Sequence, residues 1–263
     1  AWTDQADDFL SFYGLQALAA RLMFVDGEVF VRLLFAEDGS LRLALEPKDL
    51  AEIPADVVWS VAVRNGAAYL GTGNQGLIYR VSEQPTPPSA ASPASPESNG
   101  KASQFFATGE LNVHALAFDK DGNLYAATSP RGKLFRIDPA GAGKLIFDSD
   151  STYLWSLAIS PEGTIYAGGG PPARIYEIAP DGAARVLVEL PAANVLSLVR
   201  SSSGDLYAGT SDNGIVYRVG ADGTARPVCQ LTGESAQALA LDEHGNLFAS
   251  ATPGGAIYRL PPE

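Results

Sequence analysis

Val113–Asp138 reads VHALAFDKDGNLYAATSPRGKLFRID, and three later stretches repeat its grammar: Leu154–Pro180 (LWSLAISPEGTIYAGGGPPARIYEIAP), Val195–Gly220 (VLSLVRSSSGDLYAGTSDNGIVYRVG) and Ala236–Leu260 (AQALALDEHGNLFASATPGGAIYRL). Gly122, Gly163, Gly204 and Gly245 recur at one constant interval. Tyr125, Tyr166, Tyr207 and Phe248 recur at the same interval, and so do Phe135, Tyr176, Tyr217 and Tyr258. Three ungapped registers sharing one period mark a repeat architecture before any propensity is consulted. A fifth copy, Val58–Val81, places Gly66 and Tyr79 ahead of Gly122 and Phe135 by more than one period, and by the same excess in both cases. The excess maps to residues 83–102 (EQPTPPSAASPASPESNGKA), whose Pro, Ser and Ala content buries little and reads as a surface insertion within one repeat.

Inside a repeat, short runs alternate at period 2 and are punctuated by turn residues such as Asp119-Lys120-Asp121-Gly122-Asn123. In the second repeat this predicts strand A over Val113–Phe118, B over Leu124–Thr128, C over Lys133–Asp138 and D over Lys144–Phe147. Four antiparallel strands in every repeat is the pattern of a β-propeller blade, so the expected fold is all-β. Small residues recur in the innermost strand at Ser60, Ala115, Ser156, Ser197 and Ala238, where blades crowd together. Val31–Pro47 resembles a further A–B hairpin, with Gly39 at the turn. The expectation is six blades with one irregular N-terminal blade, the ring closed by an N-terminal strand that completes the last repeat. Five blades plus an extra hairpin is the alternative.

The chain has 263 residues, 46% of them hydrophobic, and a formal charge of -12. That balance excludes wholesale disorder and gives no surface on which to neutralise a run of phosphates, so nucleic acid is not an expected partner. Cys229 is the only cysteine, which excludes an intrachain disulfide or a zinc cluster. No apolar run is long enough to span a bilayer. Residues 1–57 hold 11 acidic and 4 basic side chains, net -7. Within them Asp7–Leu22 has helical spacing after an acidic start, predicting a short helix in an arm over residues 1–27, with the propeller over 28–263. The start at Ala1 is expected to reflect removal of either a signal peptide or an initiator Met.

The repeated segment AFDKDGNLYAATSPRGKLFRID resembles NHL-type repeats and the gluconolactonase-like and sensor-type propellers, and the likeness covers residues 58–260. It is similar also to exported bacterial propellers, which carry an N-terminal segment like Trp2 and Asp8-Phe9; this implies a periplasmic or extracytoplasmic site, with a cytoplasmic one as the alternative. The gluconolactonase likeness implies carboxylate and amide ligands for a divalent cation near the axial channel. Here the matching strand-A starts carry Trp59, His114, Trp155, Leu196 and Gln237, none of them acidic, so no metal or other cofactor is expected.

Strand-A starts and B–C loops of a propeller share one face, so Trp59, His114, Trp155 and Gln237 are the candidate ligand-contacting residues, suited to a small apolar or sugar-like ring. No serine sits in a nucleophile elbow, and the other histidine, His244, reads as a solvated turn residue; a catalytic set is not expected. Asp119 and Asp121 read as turn formers rather than calcium ligands. The arginines that follow the strand-C aromatics (Arg80, Arg136, Arg218, Arg259) read as scaffold residues pairing with turn carboxylates or carbonyls. Candidate partner contacts are Asp7, Asp8, Phe9 and Tyr13 in the acidic arm and Arg131, Asp212 and Asn213 in the B–C loops. The leading functional expectation is a non-enzymatic protein-interaction or accessory subunit of a larger assembly. The alternative is a small-ligand sensor or lactonase-like hydrolase.

Overall fold

The computed structural model describes residues 32–35, 41–44, 53–82 and 102–262. The chain divides into two units, Ala1–Leu50 and Ala51–Glu263. In the first, β1 (Arg32–Phe35) and β2 (Leu41–Ala44) pair antiparallel, Arg32 opposite Ala44 and Phe35 opposite Leu41, which is the hairpin expected around Gly39. The helix expected over residues 7–22, the contact candidates Asp7, Asp8, Phe9 and Tyr13, and the ring-closing N-terminal strand lie outside the described residues.

The second unit is a β-propeller. Its first sheet is β3 (Val58–Arg64), β4 (Ala67–Thr72), β5 (Leu77–Ser82) and β6 (Ala102–Ala107); its second is β7 (Asn112–Phe118), β8 (Leu124–Ser129), β9 (Lys133–Ile137) and β10 (Gly143–Asp148). The third is β11 (Tyr153–Ile159), β12 (Ile165–Gly170), β13 (Arg174–Ile178) and β14 (Ala184–Glu189), and the fourth is β15 (Val195–Arg200), β16 (Leu206–Thr210), β17 (Ile215–Val219) and β18 (Ala225–Gln230). The fifth has three described strands, β19 (Ser235–Leu241), β20 (Leu247–Thr252) and β21 (Ile257–Leu260), and ends at strand C as its sequence does. In every sheet the order in space is the order in sequence, because short turns can join only antiparallel neighbours. Val81 pairs with Ala102, so the Pro-rich segment bridges two adjacent strands.

The core lies between sheets. Ile78, Val113, Leu124 and Ile137 are buried where sheets one and two meet. Leu134, Leu154, Ile165 and Ile178 fill the next gap, Ile175, Val195, Leu206 and Val219 the third, and Val216, Leu231, Ala236 and Leu247 the fourth. Each fully buried aliphatic contributes about 1.5–3 kcal/mol, so a blade is stable only against its neighbours.

The small innermost residues do more than make room. Ser60 Oγ donates to the Val113 carbonyl of the next sheet (3.0 Å), Ser156 Oγ to Val195 (3.4 Å) and Ser197 Oγ to Ala236 (3.3 Å). Each serine faces a glycine across the ladder: Gly71, Gly168 and Gly209. A Cβ at any of the three would stand 2.4 Å from that hydroxyl. Where strand A carries alanine instead, at Ala115 and Ala238, the facing residues are Ala127 and Ser250.

The A–B turns follow one rule. Gly122, Gly163, Gly204 and Gly245 have φ of +91°, +95°, +101° and +81°, and each N–H bonds back to the carbonyl three residues earlier. Asp119 accepts from Asn123 N (2.8 Å), Asn123 Nδ2 (2.7 Å) and Tyr125 Oη (3.2 Å), as the turn reading of this aspartate requires. Its carboxyl lies below the usual range, because these donors outweigh the opposing effect of burial. Arg218 pairs with Asp205 (2.8 Å) and Arg259 donates to Asn246 Oδ1 (3.2 Å), the turn-bracing role expected of the strand-C arginines.

Candidate functional site

Every strand A of the second unit contains a β-bulge at the same place. The register shifts between Val58 and Ser60, Val113 and Ala115, Leu154 and Ser156, Val195 and Ser197, and Ala236 and Ala238. The residue left out of the ladder is in turn Trp59, His114, Trp155, Leu196 and Gln237. A bulge frees one side chain from the alternation that assigns its neighbours to a sheet face, and so re-aims it.

The structure brings three of the candidate residues together. The rings of Trp59 and His114 are 5.1 Å apart and edge-to-face, and His114 and Trp155 are 4.4 Å apart. Tyr153, which the sequence reading passed over, stacks on Trp155 at 4.7 Å and 16° and lies 6.2 Å from His114. The result is a continuous aromatic row whose faces are largely spent on each other, worth about 0.5–1.5 kcal/mol per pair. Gln237, half-buried on β19, makes no ring contact or hydrogen bond with this row among the described residues.

Two hydrogen-bonded relays hold the row. Trp59 Nε1 donates to Asn112 Oδ1 (3.1 Å), and Asn112 Nδ2 donates to Ser129 Oγ (3.1 Å). Trp155 Nε1 donates to Asn194 Oδ1 (3.0 Å), and Asn194 Nδ2 to Ser211 Oγ (3.3 Å). Asn112 and Asn194 are separated by twice the repeat interval, as are Ser129 and Ser211, so a signal at the doubled period would have found both relays.

His114 Nε2 lies 2.8 Å from Ser129 Oγ. Burial pulls the imidazole down to about 4, so it is neutral at pH 7, and the arrangement satisfying Asn112, Ser129 and His114 together has the serine hydroxyl donating to Nε2. A histidine and a serine at this distance resemble a base and its nucleophile. Ser129, however, is 0% exposed, which leaves its oxygen no approach for a substrate carbonyl.

The B–C loop candidates, Arg131, Asp212 and Asn213, stand on the same face. Arg131, exposed, is held by Glu110 (3.0 Å), as is Lys133 (2.8 Å). These two cations, through hydrogen bonds and charge, outweigh burial and keep the Glu110 carboxyl below its ordinary range. Asp212, exposed, accepts from Ala193 N (2.8 Å), and Asn213 accepts from Thr210 Oγ1 (3.3 Å). Asn213 therefore braces its own loop, and Asp212 ties that loop to the segment leading into β15.

What the sequence reading missed on this face is the exposed apolar company of Trp59 (42%): Val57 (38%), Val58 (36%) and Leu111 (49%). Beside Trp59 lies a small depression of about 30 Å³, partly open to solvent and lined by Asp56, Gly73, Asn74 and Gln75 among others. Among the described residues no three His, Cys, Asp or Glu side chains gather to hold a metal ion. No helix there is long and apolar enough to cross a membrane.

This architecture defines a β-propeller protein, and solved propellers are what the chain resembles. It matches a chain of the nidogen/laminin complex at 15% identity and a TM-score of 0.65, covering 89% of this chain and 86% of that one. Virginiamycin B lyase from Staphylococcus aureus matches at 16% and 0.58, over 89% and 74%. The extracellular domain of a putative one-component system from B. thetaiotaomicron matches at 20% and 0.61, over 90% of this chain and 32% of that one. At these identities the likeness is one of fold, and it reaches the propeller class without singling out the NHL-type or gluconolactonase-like branch. No family model and no curated protein matches the chain.

Proposed function

We propose that the protein is a non-enzymatic recognition module that engages a protein partner through the face bearing the strand-A bulges. The observation that carries this reading is the exposed group Val57, Val58, Trp59 and Leu111 beside polar loops on a rigid scaffold. Exposed apolar surface of this kind marks interaction sites, and tryptophan is the residue most enriched among the few that dominate binding energy. Two features argue against catalysis. The serine of the histidine–serine pair is fully buried, and the neighbouring depression holds only about 30 Å³, whereas small-molecule sites are usually clefts of about 300–1,000 Å³.

An accessory role in a larger assembly and an extracytoplasmic site belong to the same proposal. A propeller of this shape occurs in the nidogen/laminin complex, and the one-component-system neighbour is an extracellular domain. A photo-crosslinking amino acid at position 111, which leaves Trp59 in place, set against one at Lys120 in an A–B turn, tests the reading in cells of the source organism. The expected result is a discrete adduct from position 111 only, recovered from the extracytoplasmic fraction. Equal labelling from both positions, or none from 111, sinks it.

A further inference from the structure

The surface around Trp59 offers a particular chemistry. Nε1 is already bonded to Asn112 and one side of the ring meets His114, so what the 42% exposed indole offers a partner is the remainder of its π surface. The adjoining depression is contiguous with it, because Gly73 lies so close that a Cβ there would stand 2.7 Å from Nε1. Asn74, held in the left-handed region at φ +66°, donates Nδ2 to Asp56 Oδ2 at 2.7 Å. The second carboxylate oxygen of Asp56 and the amide oxygen of Asn74 have no partner among the described residues, and both are acceptors. Arg131 and Lys133, cations of the bulge face, are both engaged by buried Glu110. The formal charge of the whole chain, -12, adds a long-range attraction for positive groups.

We infer that this surface receives an arginine side chain from a basic segment of the partner, its guanidinium lying on the Trp59 indole and donating to Asp56. The guanidinium is the side chain that combines planarity for stacking, permanent charge and several donors in a fixed fork; an ammonium supplies only the charge. The inference rests on the recognition reading above and names the partner chemistry of that same site.

The test is titration of the full-length protein, at low and moderate salt, with a short Gly/Arg peptide, followed by tryptophan fluorescence and calorimetry. Matched peptides carry citrulline, lysine or glutamate in place of arginine. Citrulline keeps the shape and removes the charge. The expected result is saturable binding of the arginine peptide, about tenfold weaker with citrulline, weakened severalfold with lysine and undetectable with glutamate. Trp59→Ala should cost about tenfold and Asp56→Asn about threefold to tenfold, with circular dichroism unchanged and with Asp222→Asn, in a C–D turn, as the neutral control.

Equal affinity for citrulline, or an equal loss in the Asp222 control, would overturn the assignment in favour of unspecific attraction to an acidic protein. Absence of arginine binding overturns it outright. If the crosslink from position 111 forms in that case, only the cation preference has failed; if it does not form either, the recognition reading falls with it.

Discussion

The two faces of the propeller are built from the same repeat and treat it oppositely. On the A–B turn face, the four clean repeats put Asp or Ser at the first turn position (Asp119, Ser160, Ser201, Asp242) and glycine three residues on, with φ between +81° and +101°. On the bulge face the equivalent residue runs Trp59, His114, Trp155, Leu196, Gln237. Repetition marks places where backbone geometry admits one solution. Variation marks places where the fold has finished with the side chain and left it for another purpose, and here that place is a bulge repeated five times.

The sharpest way to break this contrast is to attack the geometry both faces depend on. Gly168→Val places a branched side chain where even a Cβ meets Ser156 Oγ at 2.4 Å and Val195 Cγ1 at 2.7 Å. Urea unfolding should show a loss of about 3 kcal/mol or more, or no folded protein at all, since both neighbours belong to packed strands. A stability near wild type would mean that the blades are looser than the serine–glycine pairing implies.

The next effect belongs to the bulge face and depends on pH. His114 titrates at about 4 when folded against an ordinary 6.5, so between these values the unfolded chain holds the extra proton. Stability from this group is present in full above pH 6.5 and is lost as pH falls toward 4, by roughly 3 kcal/mol in all. Asp119 and Glu110, whose carboxyls lie below their ordinary values, add losses that set in near their unfolded values of about 4 and run lower. His114→Gln, which keeps an acceptor for Ser129, should flatten the profile between pH 6.5 and 4.5 in a series of denaturation curves. An unchanged profile would show that the imidazole is more accessible than the aromatic row implies.

On the turn face, Gly204→Ala forces a side chain to φ +101° and should cost about 1–2 kcal/mol in thermal or urea unfolding. The same change at Gly163 should cost about as much, because the two turns share one conformation; unequal costs would break the equivalence of the repeats. The smallest stability effect belongs to Trp59→Ala. With the indole 42% exposed, unfolding should move by about 1 kcal/mol or less while partner crosslinking is lost, a separation between folding and binding that the turn glycines should not produce.

Most of the scaffold was legible from periodicity. The strands predicted in the second repeat, Val113–Phe118, Leu124–Thr128, Lys133–Asp138 and Lys144–Phe147, differ from β7–β10 by one residue at most of their ends. The hairpin around Gly39 and the end of the last repeat at strand C were equally readable. The site was legible only in part. Trp59, His114 and Trp155 could be assigned to one face because strand polarity alternates, but Tyr153, Asn112 and Asn194 were passed over, since each gains its role from a ring or an amide that the fold sets beside it. The burial of Ser129, which turns an apparent base–nucleophile pair into a structural hydrogen bond, is likewise invisible in a linear string.

By itself the sequence determined that the chain would form short antiparallel strands, where they turn, and how often the unit repeats, because period-2 alternation and left-handed glycines are local requirements. Tertiary structure alone decided which repeated residue escapes the ladder and which of the aromatic side chains brought together stays exposed. Those outcomes depend on how one sheet lies against the next, through contacts such as Ser60 to Val113 and Trp155 to Asn194, and packing between blades is a property of pairs of repeats that no single repeat encodes.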